Sequence, residues 1–273
     1  MQNIINSINA LNLGINKSQA EKLYHFYKLV VEENTKINLT AITEYHDFIQ
    51  KHYVDSLSLC LLKDESPDVI RLLESPNSKV LDLGTGGGFP GIPLAIAYPK
   101  AAFTLLDSLQ KRIRFLQSAV AKLSLSNVEA THGRAEDFAH QEKYREQFDL
   151  CVSRAVANLS TLTEYALPFV KVGGYFISYK GADAAEEIHE AEYAVECLGG
   201  QIAHIGQFIL PVPEAAENTD SSQDPKKSTA LPTDELNPME IRRTLVVIKK
   251  IKSSDNKYPR KAGVPSKKPL RQV

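Results

Sequence analysis

The stretch "LDLGTGGGFPGIPLAIAYP" at residues 81–99 constrains the fold of this chain more than any other. An apolar run gives way to Gly84, Gly86, Gly87 and Gly88, and Pro90 and Pro93 open a second apolar run that stops at Pro99. Proline suits the first turn of a helix, so a helix is predicted to start near Pro90 to Pro93 and to end before Pro99. The glycines then belong to the loop between a strand and that helix. In an open parallel sheet, ligands bind at such loops, where backbone N–H groups and helix N-termini face a crevice.

The rest of the chain supplies the sheet. Strands are predicted at "KVLDLG" (79–84), "FTLLD" (103–107), "VEATHG" (128–133), "FDLCVSRA" (148–155) and "GGYFISYKG" (173–181). Helical segments alternate with them, most clearly at 111–123, where Ile113, Leu116, Val120 and Leu123 form one apolar stripe. Alternation of this kind means a mostly parallel sheet covered on both faces. After a helix at 184–198 come strands near 201–210 and at 242–250 with no helix between them, which implies an antiparallel pair at the edge. Residues 1–75 read as mostly helical. Ser18 and Glu21 have capping-box spacing, and Leu23, Phe26, Tyr27 and Val30 follow at helical intervals.

The expected organisation is one domain over 1–273, with a helical part at 1–75 and a Rossmann-like core at 76–251. Two segments stand apart from it. Residues 213–238 are rich in Pro, Ser, Asp and Glu and nearly free of large apolar groups, so a disordered insertion is expected there. Residues 252–273 form a basic tail. From Lys249 onward the chain has nine Lys and Arg against the single acid Asp255, with prolines that argue for an extended arm along a phosphate backbone. The formal net charge of −1 hides this asymmetry. No window approaches an apolar span of about 20 residues and no leader is evident, so a cytoplasmic, unprocessed protein is expected. Cys60, Cys151 and Cys197 are too scattered for a zinc site, and all three are expected to be small buried hydrophobes.

The glycine loop admits two readings. Gly86, Gly88 and Gly91 satisfy the dinucleotide fingerprint, whereas Asp82-Leu83-Gly84-Thr85-Gly86-Gly87-Gly88 satisfies the first motif of S-adenosylmethionine enzymes. Asp107, at the end of the next strand, suits the ribose of either cofactor. An antiparallel end to the sheet is a trait of the methyltransferase version of the fold.

Together with "NLTAI" (38–42), "KHYVDSL" (51–57), "LLDSLQKRIRFL" (105–116), "GRAEDF" (133–138), "SRAVANL" (153–159), "YKG" (179–181) and "KYPRKAGVPSKKPL" (257–270), the loop resembles the bacterial 16S ribosomal RNA guanine-N7 methyltransferases, also called glucose-inhibited division protein B. The resemblance implies a class I methyltransferase fold, S-adenosylmethionine as cofactor, no metal, and methyl transfer to N7 of guanine 527 of the small-subunit RNA. It further implies that Gly84, Phe89, Asp107, Ala135, Glu136 and Arg154 contact the cofactor, and that Lys180, Arg260 and Lys261 contact RNA. The fourth strand lacks the Asn/Asp-Pro-Pro-aromatic turn of exocyclic-amino methylases, and Cys151 lies within it, buried and inert, which argues against cytosine C5 chemistry. His52 and Asp55 are expected to cap or pack a helix. An NAD-dependent oxidoreductase and a cofactor-free RNA-binding assembly factor remain alternatives.

Overall fold

A computed structural model describes residues 1–154, 156–212 and 240–272. The insertion expected at 213–238 lies outside them. The N-terminal part contains α1 (Gln2–Asn9), α2 (Lys17–Asn34), α3 (Tyr45–Phe48), a π-helical turn at Ile49–Val54, α4 (Asp55–Leu57) and α5 (Pro67–Glu74). Then β1 (Lys79–Leu83), α6 (Gly91–Ala97), β2 (Ala102–Asp107), α7 (Gln110–Lys122), β3 (Val128–His132), α8 (Ala135–Phe138) and β4 (Phe148–Arg154) alternate. The chain continues through α9 (Leu159–Ala166), β5 (Val170–Lys180), α10 (Ala185–Cys197), β6 (Gly200–Ile209), β7 (Arg242–Lys250) and α11 (Val264–Lys267). No helix of the described residues is long and apolar enough to cross a membrane.

The strands form one sheet in the order β3-β2-β1-β4-β5-β7-β6. Pairings from β3 through β5 are parallel, and β7 is antiparallel to both β5 and β6. The reversed strand is therefore one place in from the edge, inserted between two strands that run the other way. Alternate residues of each strand feed two apolar cores, as the period of a strand requires. Val80, Leu105, Val152 and Ile177 face the N-terminal helices with α6 and α7, while Leu81, Leu106, Cys151 and Phe176 face α9 and α10. This is a Rossmann-like architecture with one reversed strand.

Three expectations need correction. α2 starts two residues earlier than the Ser18 reading: Asn16 is its N-cap, and Gln19 completes the reciprocal box. The amide pair Asn16/Gln19 satisfies both orphan donors, which leaves Ser18 inside the first turn. Only Cys151 is fully buried; Cys60 and Cys197 are half-buried. The tail is not an extended arm. Arg145 donates to the carbonyls of Ser254, Asp255 and Tyr258, Tyr258 is buried, and Thr161 donates to the carbonyl of Pro265. Pro265 opens the short helix α11 instead of preventing it, because the first turn does not need its N–H.

Candidate active site

The strand order places the loops after β1 and β4 side by side at the point where the connections reverse direction, and a crevice at such a point is the standard ligand position. Gly84 adopts φ +71° and Gly86 φ +59°, a left-handed backbone that glycine enters without strain. Gly91 is the first residue of α6, and a Cβ there would lie 2.6 Å from Asp82 Oδ2. This start lies within the range predicted from Pro90 and Pro93. Gly91 sits in the helix, where the missing side chain allows α6 to touch β1.

Asp82 anchors this turn from below. Its Oδ2 accepts from Thr85 Oγ1 at 2.6 Å and from the Gly91 N–H at 2.7 Å, while its buried Oδ1 has no partner among the described residues. Burial pushes its pKa up to about 7, against the pull of Thr85, Gly91 and Arg154. Asp107 ends β2 and braces the loop from the side. Its Oδ2 accepts from Gly86 N–H at 2.9 Å and its Oδ1 from Leu109 N–H at 2.8 Å. Arg112 Nη1 from α7 also reaches Oδ2, at 3.4 Å, so Asp107 ties the glycine loop to the segment that leads into α7, and a carboxylate with three such bonds still has a lone pair for a ribose hydroxyl.

Ala135 and Glu136 open α8 beyond β3, Ala135 half-buried and Glu136 buried. Glu136 Oε1 accepts from Gly263 N–H at 3.2 Å, so the tail reaches this end of the crevice. Val156 covers Gly84: a Cβ at Gly84 would stand 2.5 Å from its Cγ2. The residues fit S-adenosylmethionine. The left-handed glycine backbone would take the methionine part, Asp107 the ribose, and Ala135 with Glu136 the adenine. Among the described residues, no group of three or more His, Cys, Asp or Glu could hold a metal ion.

Arg154 faces a second polar cluster, contributed by the N-terminal part. Its Nη1 donates to Asp55 Oδ2 at 2.8 Å and to the Lys51 carbonyl at 3.1 Å, and its Nη2 lies 3.0 Å from His52 Nδ1. Lys51 and His52 both lie in the π-helical turn at Ile49–Val54. Arg243 from β7 donates to both oxygens of Asp55, so two guanidinium groups share one carboxylate that is 1% exposed. His52 stacks on Phe89 with ring centroids 4.3 Å apart and planes 12° from parallel. Burial, aided by Arg154, pulls the His52 pKa down to about 3. The ring of Phe89 also packs on Phe26 and Phe48, so it is a core aromatic that sets the loop's floor.

The expected site residues therefore fall into two groups. Gly84, Asp107, Ala135, Glu136 and Arg154 follow or end β1, β2, β3 and β4 along one edge of the sheet. Lys180 ends β5 next to Arg154, whereas Arg260 and Lys261 lie in the tail. Lys180 pairs with Glu187 at 2.6 Å and donates to the Ala157 carbonyl, and Arg260 clamps the fully buried Glu164, with Nη2 at 2.6 Å. Lys261 alone of the three is exposed. Sequence reasoning gave His52 and Asp55 only a capping or packing role, whereas they bind Arg154, and Asp55 binds Arg243 as well; it did not single out Thr40 or Arg243. The His52–Asp55 spacing of three was visible, but nothing local shows that this helical edge meets β4.

A family model for "rRNA small subunit methyltransferase G" matches residues 19–211. The chain is 44% identical to the ribosomal RNA small subunit methyltransferase G of Lachnoclostridium phytofermentans, over 97% of this chain and 96% of that one. It is 41% identical to the protein of the same name from Clostridium tetani, over 98% of each. For the one from Leuconostoc citreum the identity is 39%, over 97% of each. With a family model matched over residues 19–211 and relatives this similar over nearly the whole chain, the chain belongs to the rRNA small subunit methyltransferase G family.

Proposed function

We propose that this protein transfers a methyl group from S-adenosylmethionine to N7 of guanine 527 in the 16S rRNA of the small ribosomal subunit, or of its precursor, in the cytoplasm. When bound, S-adenosylmethionine supplies a methyl carbon on a sulfonium, and the N7 lone pair can take it with no proton to remove. The chain's own task is alignment and exclusion of water, effects that can supply about 7–11 kcal/mol of barrier reduction.

The observation that supports this chemistry is the state of His52. Both ring nitrogens are engaged, with Arg154 and Thr40, and its pKa is far below neutrality. It neither holds a labile proton nor takes one at pH 7, as suits a nucleophile that needs no base. Arg154, Asp55 and Arg243 hold the mouth of the crevice in one geometry. RNA would approach along the groove of about 350 Å³ between α2 and α7, where Lys111, Arg114 and Lys122 are exposed and make no ion pair among the described residues. Lys261 would add a contact from the tail.

Calorimetry with S-adenosylmethionine and with NAD separates a methyltransferase from an oxidoreductase and from a cofactor-free binder. Primer extension or mass mapping of small-subunit RNA, from a strain with and without the gene, locates the methyl group. Unchanged modification at guanine 527 after deletion would refute the target.

A further inference from the structure

The hydrogen bonds around Thr40 fix the direction of its hydroxyl proton. Arginine can only donate, so His52 Nδ1, 3.0 Å from Arg154 Nη2, must be the bare nitrogen. The ring proton therefore sits on Nε2, which is 2.8 Å from Thr40 Oγ1 and donates to it. The N–H of Ile42 donates to the same oxygen at 3.0 Å. A hydroxyl has two lone pairs, and both are now filled. Its own proton has no acceptor among the hydrogen bonds of the described residues, so Thr40 is a donor that cannot act as an acceptor.

The mount is rigid and stands at the crevice. Asn34 Oδ1 accepts from the N–H groups of both Leu39 and Thr40, at 2.8 and 2.9 Å. The Leu39 carbonyl lies against Gly87, where a Cβ would be 3.4 Å from it, and the His52 ring rests on Phe89. Thr40 is half-buried at this rim. A guanine presents two acceptors, N7 and O6, on the edge that carries the reacting nitrogen, whereas adenine presents N7 beside an amino donor.

We propose that the Thr40 hydroxyl donates to O6 of the target guanine and so selects guanine over a purine bearing an amino group at that position. This inference rests on the proposed methyl transfer to N7. A donor whose lone pairs are both occupied cannot turn round to accept from an amino group, and an unmatched polar pair is what gives such sites their discrimination. His52 and Arg154 act as positioning residues, since they determine which way the hydroxyl faces.

The test uses the full-length protein, labelled S-adenosylmethionine, and small subunits reconstituted with RNA that has either guanosine or 2,6-diaminopurine riboside at the methylated position. Diaminopurine keeps N7 and replaces O6 by an amino group. The quantity read is the single-turnover rate ratio, guanine over diaminopurine, for wild type, Thr40→Ser and Thr40→Val. Thr40→Ser should keep the wild-type ratio, and Thr40→Val should lower it about 5–10-fold, the range of one neutral hydrogen bond. Thr40→Ala, with the hydroxyl removed and less bulk, is read in the same way if the valine variant folds poorly. A slower Thr40→Val with an unchanged ratio would show that Thr40 is only a scaffold and overturns the proposal. Wild type that methylates neither substrate, while it still binds S-adenosylmethionine, would instead refute the methyl-transfer reading and this inference with it.

Discussion

Replacing Asp55 by alanine tests the cluster that joins the N-terminal helices to the sheet. The carboxylate is 1% exposed and accepts charge-assisted bonds from Arg154 and Arg243, whose side chains are 15% and 27% exposed. Removing it leaves two guanidinium groups close together without a counterion. Loss of one partner from a buried pair costs about 3–5 kcal/mol. Water reaches Arg243 in part, which places the expected value near the lower end, at about 3 kcal/mol. For a chain of this size that corresponds to a drop in melting temperature of about 6–12 °C. The assay is urea unfolding with the slope m held in comparison, so that a shifted midpoint reports stability alone. Because Arg154 keeps its bonds to Lys51 and His52, it should not collapse into the crevice, and affinity for S-adenosylmethionine should fall less than stability does. A double variant with Arg243→Met should recover part of the loss, since only one unpaired cation then remains. A single-variant loss below about 1 kcal/mol would refute the reasoning, because it would place these charges with ordinary solvated surface pairs.

Three further outcomes are expected. Gly84→Val should abolish S-adenosylmethionine binding in calorimetry while the protein stays folded, since it combines φ +71° with a Cβ 2.5 Å from Val156; unchanged affinity would contradict the assignment of the loop. Arg260→Met should cost about 3–5 kcal/mol, because it strands the buried Glu164, and should leave the salt dependence of RNA binding as it was; a flatter salt slope with unchanged stability would return Arg260 to the RNA surface. His52, folded pKa about 3 against 6.5 unfolded, contributes stability that is complete above pH 6.5 and is lost as pH falls toward 3, with a slope of at most about 1.4 kcal/mol per pH unit. Asp82, raised to about 7, works the opposite way between about pH 4 and 7, so the His52 part is read as the difference between wild type and His52→Gln. An unaltered pH profile in that variant would mean that His52 titrates normally.

The sequence by itself determined the elements and the glycine turn between β1 and α6. Strand periodicity, the prolines at 90 and 93, and the glycines between them are local signals, because a strand, a helix start and a left-handed turn are each specified within a few residues. Asp107 and Arg154 were legible for the same reason: each ends a strand, and strand ends in this architecture face the crevice. The limits appeared wherever charges choose partners. Thr40, His52, Asp55, Arg154 and Arg243 lie up to 203 positions apart, and only the packing of the N-terminal helices against β4 and β7 brings them together. The tail shows the same limit in the other direction. Its arginines and prolines have the composition of an RNA-binding arm, yet Glu164 and Arg145 bind it to the body of the protein, because a buried carboxylate and an array of open carbonyls need partners that only tertiary structure can deliver.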